Sequence, residues 1–313
     1  MIQEALTIDI LLATYNGASY IVQQIHSLQT QTYTHWRLLV HDDGSTDKTM
    51  ALVAQMAASD SRIIIIDDQV RLHSASENFL YLLQFSEADF TICCDQDDIW
   101  FESKLQILYD AIRYRKQDVP QAVYGNGYMF YCDTGIVSGR SVLMPPERLQ
   151  DVLFLNGGIQ GCAILFNKKM RQLCLDRPDY VCMHDHLFTL VALTFGEFTY
   201  VDRYLMLYRR HAHTVTDAMA GDFHQKTELF LNKKSPVLDE KHYRALRSFY
   251  EHYQDRMTKD KRVVFQSFFS IETYNRFRRF WCVLCSDFRL YNKKYILLAK
   301  ILLRDYFEKQ NNK

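Results

Sequence analysis

Asp95, Asp97 and Asp98 stand within four positions of one another in Cys93-Cys94-Asp95-Gln96-Asp97-Asp98-Ile99-Trp100. Acids this close repel and raise one another's pKa, so such a cluster is tolerable mainly around a cation or a set of hydrogen-bond donors. In an extended segment residues i and i+2 point the same way. That geometry predicts Asp95 and Asp97 facing one ion together while Asp98 faces elsewhere. Hard oxygen ligands suit Mg2+ or Mn2+, ions that keep positions open for water and for phosphate oxygens. The alternative is a solvated acidic turn capping a helix that begins near Trp100.

The elements that must position these acids follow a regular rhythm. Ile8–Ala13, Trp36–Val40, Ile63–Ile66 and Thr91–Cys94 are short apolar runs, read as buried strands. Between them Ser19–Gln31, a stretch from a Thr46 or Asp47 cap to about Ala58, and Asn78–Phe85 carry apolar residues at helical spacing. Strand and helix alternating in this way predict an α/β fold, with a mostly parallel central sheet and helices on both faces. Ligands bind beyond the carboxyl ends of such strands. Three strand ends here carry Thr14-Tyr15-Asn16, Asp42-Asp43 and Asp95-Gln96-Asp97, so three polar loops are expected to converge.

At 313 residues the chain holds one large domain, or one domain with an extension. Lys+Arg and Asp+Glu both total 37, but the charge is unevenly spread. From Asp222 onward there are 20 basic and 11 acidic residues, a net of +9, against 17 basic and 26 acidic before it, a net of −9. We therefore expect a catalytic region over residues 1–221 and a helical, basic and aromatic region over 222–313 that meets an anionic surface. The eight cysteines are scattered through apolar strings and read as small buried residues in a reducing compartment. Cys282 and Cys285 have CxxC spacing without a second pair, so helical packing is expected rather than a metal site. Neither a signal peptide nor a membrane span is legible, and a cytoplasmic protein is expected.

The run Ala13-Thr14-Tyr15-Asn16-Gly17, then His41-Asp42-Asp43-Gly44-Ser45-Thr46-Asp47, then Cys94-Asp95-Gln96-Asp97-Asp98-Ile99-Trp100 resembles the family 2 glycosyltransferases of the A-type, Rossmann-like fold. The Asp-Gln-Asp-Asp-Ile-Trp variant is most similar to bacterial rhamnosyltransferase-like members that build cell-surface polysaccharides. The resemblance continues through Asn156-Gly157-Gly158-Ile159-Gln160-Gly161, Met183-His184-Asp185-His186 and Leu207-Tyr208-Arg209-Arg210-His211, over roughly the first 215 residues. It implies inverting, metal-dependent transfer of a sugar from a nucleotide diphosphate sugar to an acceptor hydroxyl. L-Rhamnose from dTDP-rhamnose is the leading donor, with a UDP-sugar as the alternative. A saccharide, lipid-linked or growing on the cell surface, is the expected acceptor.

On this resemblance Tyr15 stacks on a pyrimidine and Asp43 accepts its imide N–H, with Thr14, Asn16 and Gln96 beside them in the same loops. Asp97 holds the metal, Asp95 orients the ribose or assists the metal, and His211 completes the metal shell. Arg209 and Arg210 pair with phosphate oxygens or else form a solvated basic turn. Asp185 matches the acid that removes the acceptor proton, or else it is a helix N-cap. Gly158, Gln160 and His184 are placed at the acceptor, the glycine where backbone must pass close. Before Asn78 the family commonly has an asparagine and a glycine, whereas this chain has Arg71-Leu72-His73-Ser74, so Arg71 is the candidate on the phosphate side.

Beyond Asp222, aromatics alternate with basic residues from Tyr274 to Phe307. Arg289, Lys293, Lys300 and Arg304 share one helical face by spacing. That pattern predicts an amphipathic helix on the inner, anionic face of a membrane, and a helical subdomain or homodimer contact is the alternative. Nucleic acid is not expected, because the first region is acidic and carries no binding motif. Two readings from other classes were weighed. An aspartyl-phosphate phosphatase needs a Thr where Asp95-Gln96-Asp97-Asp98-Ile99 has Ile, and a non-catalytic sugar-binding or membrane-docking scaffold would have no need of Asp43, Asp97 and Asp185.

Overall fold

The structure is a computed structural model and describes residues 6–155, 157–211 and 236–307. The expected boundary at residue 221 and Asn156 of the glycine-rich motif lie outside the described residues. The chain divides into two compact units, one holding the chain up to Val142, Ile159–Asp176 and the stretch from Gly196, the other Leu143–Gly158, Arg177–Phe195 and the C-terminal stretch.

In the first unit β1 (Ile8–Thr14), α1 (Ile21–Gln29), β2 (Trp36–Asp42), α2 (Thr49–Ser59), β3 (Ile63–Ile66), α3 (Ala75–Leu82) and β4 (Phe90–Cys94) follow the expected alternation. The short β5 (Ile99–Trp100), α4 (Lys104–Ile112), β6 (Gln121–Tyr131), β7 (Ile136–Ser138), β8 (Ile164–Asn167), α5 (Lys168–Leu175) and β9 (Glu197–Arg210) complete it. The sheet runs β3-β2-β1-β4-β8-β6-β9-β5, with β7 on the side of β6. Its first four strands are parallel, β8 is antiparallel to both its neighbours, and β6 and β9 are parallel again. The fold is thus α/β around a mixed sheet, and the parallel half is the one that presents the three polar loops.

β1 lies at the centre of that half, and Ile8, Ile10, Leu11 and Leu12 are all buried, so both faces are covered. Asp9 is also fully buried. Arg37 binds it bidentately at 2.8 and 2.9 Å, and the Ser86 hydroxyl and the Glu87 and Ala88 amides donate to it, which offsets the cost of burying the charge. β3 corrects the expectation of a third buried strand. It is the sheet edge, where Ile63 is buried and Ile64 is exposed. α3 begins at the Ser74 cap, whose hydroxyl accepts the Glu77 amide, three residues earlier than its apolar spacing suggests.

The second unit contains α6 (His184–Phe195), α7 (Glu240–Tyr253), α8 (Lys259–Ser270), α9 (Arg276–Cys285) and α10 (Lys294–Leu303). Asp239, Thr258 and Asn275 cap α7, α8 and α9 by accepting amides of their first turns. Aromatics form much of its core: Phe154, Phe249, Tyr253, Phe265, Phe268 and Phe288 are buried, with Phe154 edge-on to Phe268 and Phe288. Cys282 and Cys285 are free thiols in the last turns of α9. The predicted basic face is not formed. Arg304 is buried and Lys300 half-buried, burial pushes the Lys300 ammonium down to about 8, and Arg289 and Lys293 precede α10. Among the described residues no helix is long and apolar enough to cross a membrane.

Candidate active site

The three loops converge through reciprocal side-chain contacts. After β1, Thr14 is buried and donates to Asp42 Oδ1 at 2.8 Å. Tyr15 is held by its backbone, its N–H donating to Gln96 Oε1 and its carbonyl accepting from Gln96 Nε2, both at 3.0 Å. The ring itself stays 56% exposed, a stacking surface whose backbone is fixed. Asn16 takes a left-handed φ of 47°, which asparagine tolerates, and its Oδ1 accepts the Thr46 amide at 2.8 Å. Gly17 has no room for a side chain, because a Cβ there would lie 2.2 Å from Gln96 Oε1.

After β2, Asp42 orders its own loop by accepting the Gly44 and Ser45 amides at 3.0 and 2.7 Å. Asp43 is buried, and its two oxygens accept the Leu72 and Ser74 amides. The carboxylate expected at a base thus also ties down the segment where the sequence departs from its relatives. Arg71 lies over the same loop, donating to the Asp42 carbonyl at 3.2 Å and lying 3.0 Å from where a Gly44 Cβ would be.

The acidic stretch after β4 differs from the expected i, i+2 arrangement. Residues 95–98 form a turn, not an extended segment, and the side chains sort differently. Asp95 and Asp98 gather with Cys162, ligand atoms within 4.8 Å of one another, while Asp97 Oδ2 lies 2.7 Å from His211 Nε2. The helix starts at Lys104, not near Trp100, so the acids cap nothing and Asp98 is buried. Burial and the neighbouring Asp97 push Asp95 up to about 6, and burial with both neighbours holds Asp98 well above the usual carboxylate range.

Two buried cations keep this turn in place. Arg209, expected at phosphate oxygens, is buried behind the turn. Its backbone N–H donates to Asp98 Oδ1, and its guanidinium reaches the Asp97 carbonyl, Gln23 Oε1 at 2.6 Å and Cys132 Sγ at 3.3 Å. Lys104 was missed in the sequence. It is fully buried on the Trp100 ring, 3.6 Å from its centroid, with Nζ donating to the Cys162 carbonyl at 2.8 Å, and burial lowers it to about 8. A lysine within the apolar stripe of α4, between Trp100 and Leu105, was the available signal.

In the second unit Asp185 is half-buried in the first turn of α6. Gly158 lies against that turn, since a Cβ on it would sit 2.5 Å from the Asp185 carbonyl oxygen. The close approach expected of this glycine is therefore made to the helix backbone. His184, expected at the acceptor, has its ring buried edge-on to Phe188, and burial lowers it to about 3. His186 stacks near His242, ring centroids 4.5 Å apart, with Cys182 Sγ 3.2 Å from His186 Nδ1. Gln160, in the first unit, donates to the Ser141 carbonyl at 2.9 Å, and its Oε1 is buried with no partner among the described residues.

A carboxylate and an imidazole in direct contact form a donor set that fits a divalent first-row ion, with Asp95 adjacent. Residues 9–170, more than half of the chain, match the sequence profile of Glycosyl transferase family 2. The chain belongs to this family. It is 27% identical over 222 residues to the dTDP-rhamnosyl transferase RfbG of Shigella flexneri, covering 66% of this chain and 74% of that protein. It is also 31% identical over 155 residues to the UDP-Glc:alpha-D-GlcNAc-diphosphoundecaprenol beta-1,3-glucosyltransferase WfgD of Escherichia coli, covering 50% of this chain and 57% of that one. Among solved structures, S. aureus TarS 1-349 in complex with UDP-GlcNAc has a TM-score of 0.55 at 15% identity, covering 95% of this chain and 89% of that one. The mannosyltransferase PcManGT from Pyrobaculum calidifontis, in complex with GDP-Man and Mn2+, has a TM-score of 0.51 at 14% identity, covering 94% and 85%. These likenesses establish a glycosyltransferase with the fold shared by those structures.

Proposed function

We propose that this glycosyltransferase moves a sugar, with inversion, from a nucleotide diphosphate sugar to a hydroxyl of a lipid-linked or growing cell-surface saccharide. The contact of Asp97 with His211 beside an exposed Tyr15 carries the reading, because it sets a divalent-ion donor pair next to a flat stacking surface. The rhamnosyl relative favours dTDP-L-rhamnose as donor. A UDP-sugar is the second reading, favoured by the UDP-Glc relative and by the UDP-GlcNAc bound to TarS.

In this reading Tyr15 stacks on the pyrimidine and Asp43, still holding the Leu72 and Ser74 amides, has acceptor capacity left for an imide N–H. Asp97 and His211 hold Mn2+ or Mg2+, with Asp95 adjacent. Bound there, the ion would supply positive charge opposite the leaving diphosphate. Asp185 takes the proton of the acceptor hydroxyl as its oxygen bonds to the anomeric carbon. The bond from that carbon to the diphosphate breaks, and its electron pair leaves with the diphosphate, so one in-line displacement inverts the centre. Gln160 is assigned to the acceptor, its buried Oε1 having no partner among the described residues, and Arg71, over the Asp42 loop, is assigned to the phosphate side.

The test is thermal stabilisation by thymidine, uridine and guanosine diphosphates, with and without Mn2+, on the wild type and Asp97→Ala. We expect a metal-dependent shift with one pyrimidine nucleotide that Asp97→Ala abolishes. No shift with any of them would sink the donor assignment.

A further inference from the structure

The second unit ends in two helices that turn apolar residues outward. Phe277, Trp281 and Leu284 recur at i, i+4 and i+7 of α9, so they form one stripe. Phe277 is 76% and Trp281 61% exposed. The buried Val283 lies about 160° round the helix from Trp281. α10 repeats the arrangement, burying Leu297 and Ile301 while Tyr295, Leu302 and Leu303 are exposed. Lys294 Nζ donates to the Leu284 carbonyl at 3.2 Å, which joins the two helices.

The surroundings of the stripe are cationic. From Tyr274 to Arg304 there are eight basic residues and one acid, Asp287, which pairs with Arg148 at 3.4 Å. Arg304 is buried, Lys300 is half-buried and Arg279 is spent on the Ile271 and Glu272 carbonyls. Arg276 pairs with Asp305 at 3.4 Å. That leaves Arg278 and Lys293 exposed, with Arg289 and Lys294 half-buried. An isologous dimer through this stripe would set like charges against each other. An anionic bilayer satisfies both halves of the surface: aromatic rings suit the head-group level, and basic side chains pair with lipid phosphates.

We propose that α9 and α10 form a docking face for an anionic lipid bilayer. Phe277, Trp281 and Leu284 enter the head-group region, and Arg278, Lys293 and Lys294 pair with lipid phosphates. The inference rests on the reading above for its purpose, since a lipid-linked acceptor is reached from a membrane surface.

The chain carries its own reporter. Of its three tryptophans, Trp36 and Trp100 are buried and Trp281 is exposed. The full chain is mixed with vesicles of phosphatidylcholine alone, and with vesicles of phosphatidylcholine and phosphatidylglycerol. We expect a blue shift of Trp281 emission and co-sedimentation with the anionic vesicles only, weakened by salt. Phe277→Ser/Trp281→Ser should lower the bound fraction about tenfold or more, and Phe277→Ser/Leu284→Ser should abolish the blue shift, with the circular dichroism of both unchanged. Absence of vesicle binding, equal binding to neutral vesicles, or full binding by the variants would each overturn the proposal. A dimer dispersed by the same variants would overturn it in favour of a second copy of the chain. Nucleotide stabilisation, measured on the same preparations, separates the two ideas. Its loss with vesicle binding intact would sink the donor reading and leave this face standing.

Discussion

At the scale of single residues, the acidic turn is defined as much by what stands behind it as by what it presents. Arg209 and Lys104 are both buried, and Lys104 is a cation whose charge favours the ionised forms of Asp95 and Asp98. Lys104→Met is expected to cost about 3 kcal/mol, the scale of leaving buried charge without its nearby cation. Urea unfolding measures it, and adding Asp98→Asn should recover part of the loss. The neutral double variant separates an uncompensated charge from simple loss of packing. Asp185→Asn has a different signature. Its turnover should fall about 1000-fold, the scale of general-base loss, while stabilisation by nucleotide and Mn2+ is unchanged. A parallel loss of nucleotide stabilisation would place Asp185 at the donor instead of the acceptor. The residue types at the loop ends were legible in the sequence because each follows a buried strand. Their partners were not, since a turn at 95–98 reassigns side chains that an extended reading pairs by alternation.

At the scale of elements, the strand and helix rhythm of the first unit was read directly, because apolar spacing reports burial on each face. The edge position of β3 and the burial of Arg304 were not legible. Both depend on which neighbour an element finds, and periodicity alone carries no neighbour. Gly158 shows the same limit: its motif marked a close approach but not that α6 is what approaches. Gly158→Ala must displace the Asp185 carbonyl or the loop, and we expect both stability and turnover to fall. Differential scanning calorimetry together with steady-state kinetics checks this. A wild-type Tm with reduced turnover would mean that the loop, not the helix, gives way.

At the scale of the whole molecule, acid lability is expected to concentrate in the second unit. That unit buries His184, His186 and His242, and burial holds all three below the ordinary imidazole pKa, His242 at about 4. His186 Nε2 and His242 Nδ1 have no partner among the described residues to accept from an added proton. The unfolded chain binds these protons below about pH 6.5 and the folded chain does not, so stability is lost as pH falls from there towards 4. His242 alone accounts for about 3 kcal/mol of that loss at pH 4. Hydrogen exchange across this range should show α6 and α7 losing protection before the strands of the first unit. His242→Gln should flatten the dependence, and an unchanged slope would exclude burial of this imidazole as its cause.

The path of the chain has a further consequence. It enters the second unit at Leu143, leaves it at Ile159, re-enters at Arg177, leaves again at Gly196 and returns for its C-terminal helices. Asp97 belongs to one unit and Asp185 to the other, so no single crossover between two genes can exchange one unit whole. Exchanging either unit between two genes would take several crossovers, one at each point where the chain passes between them.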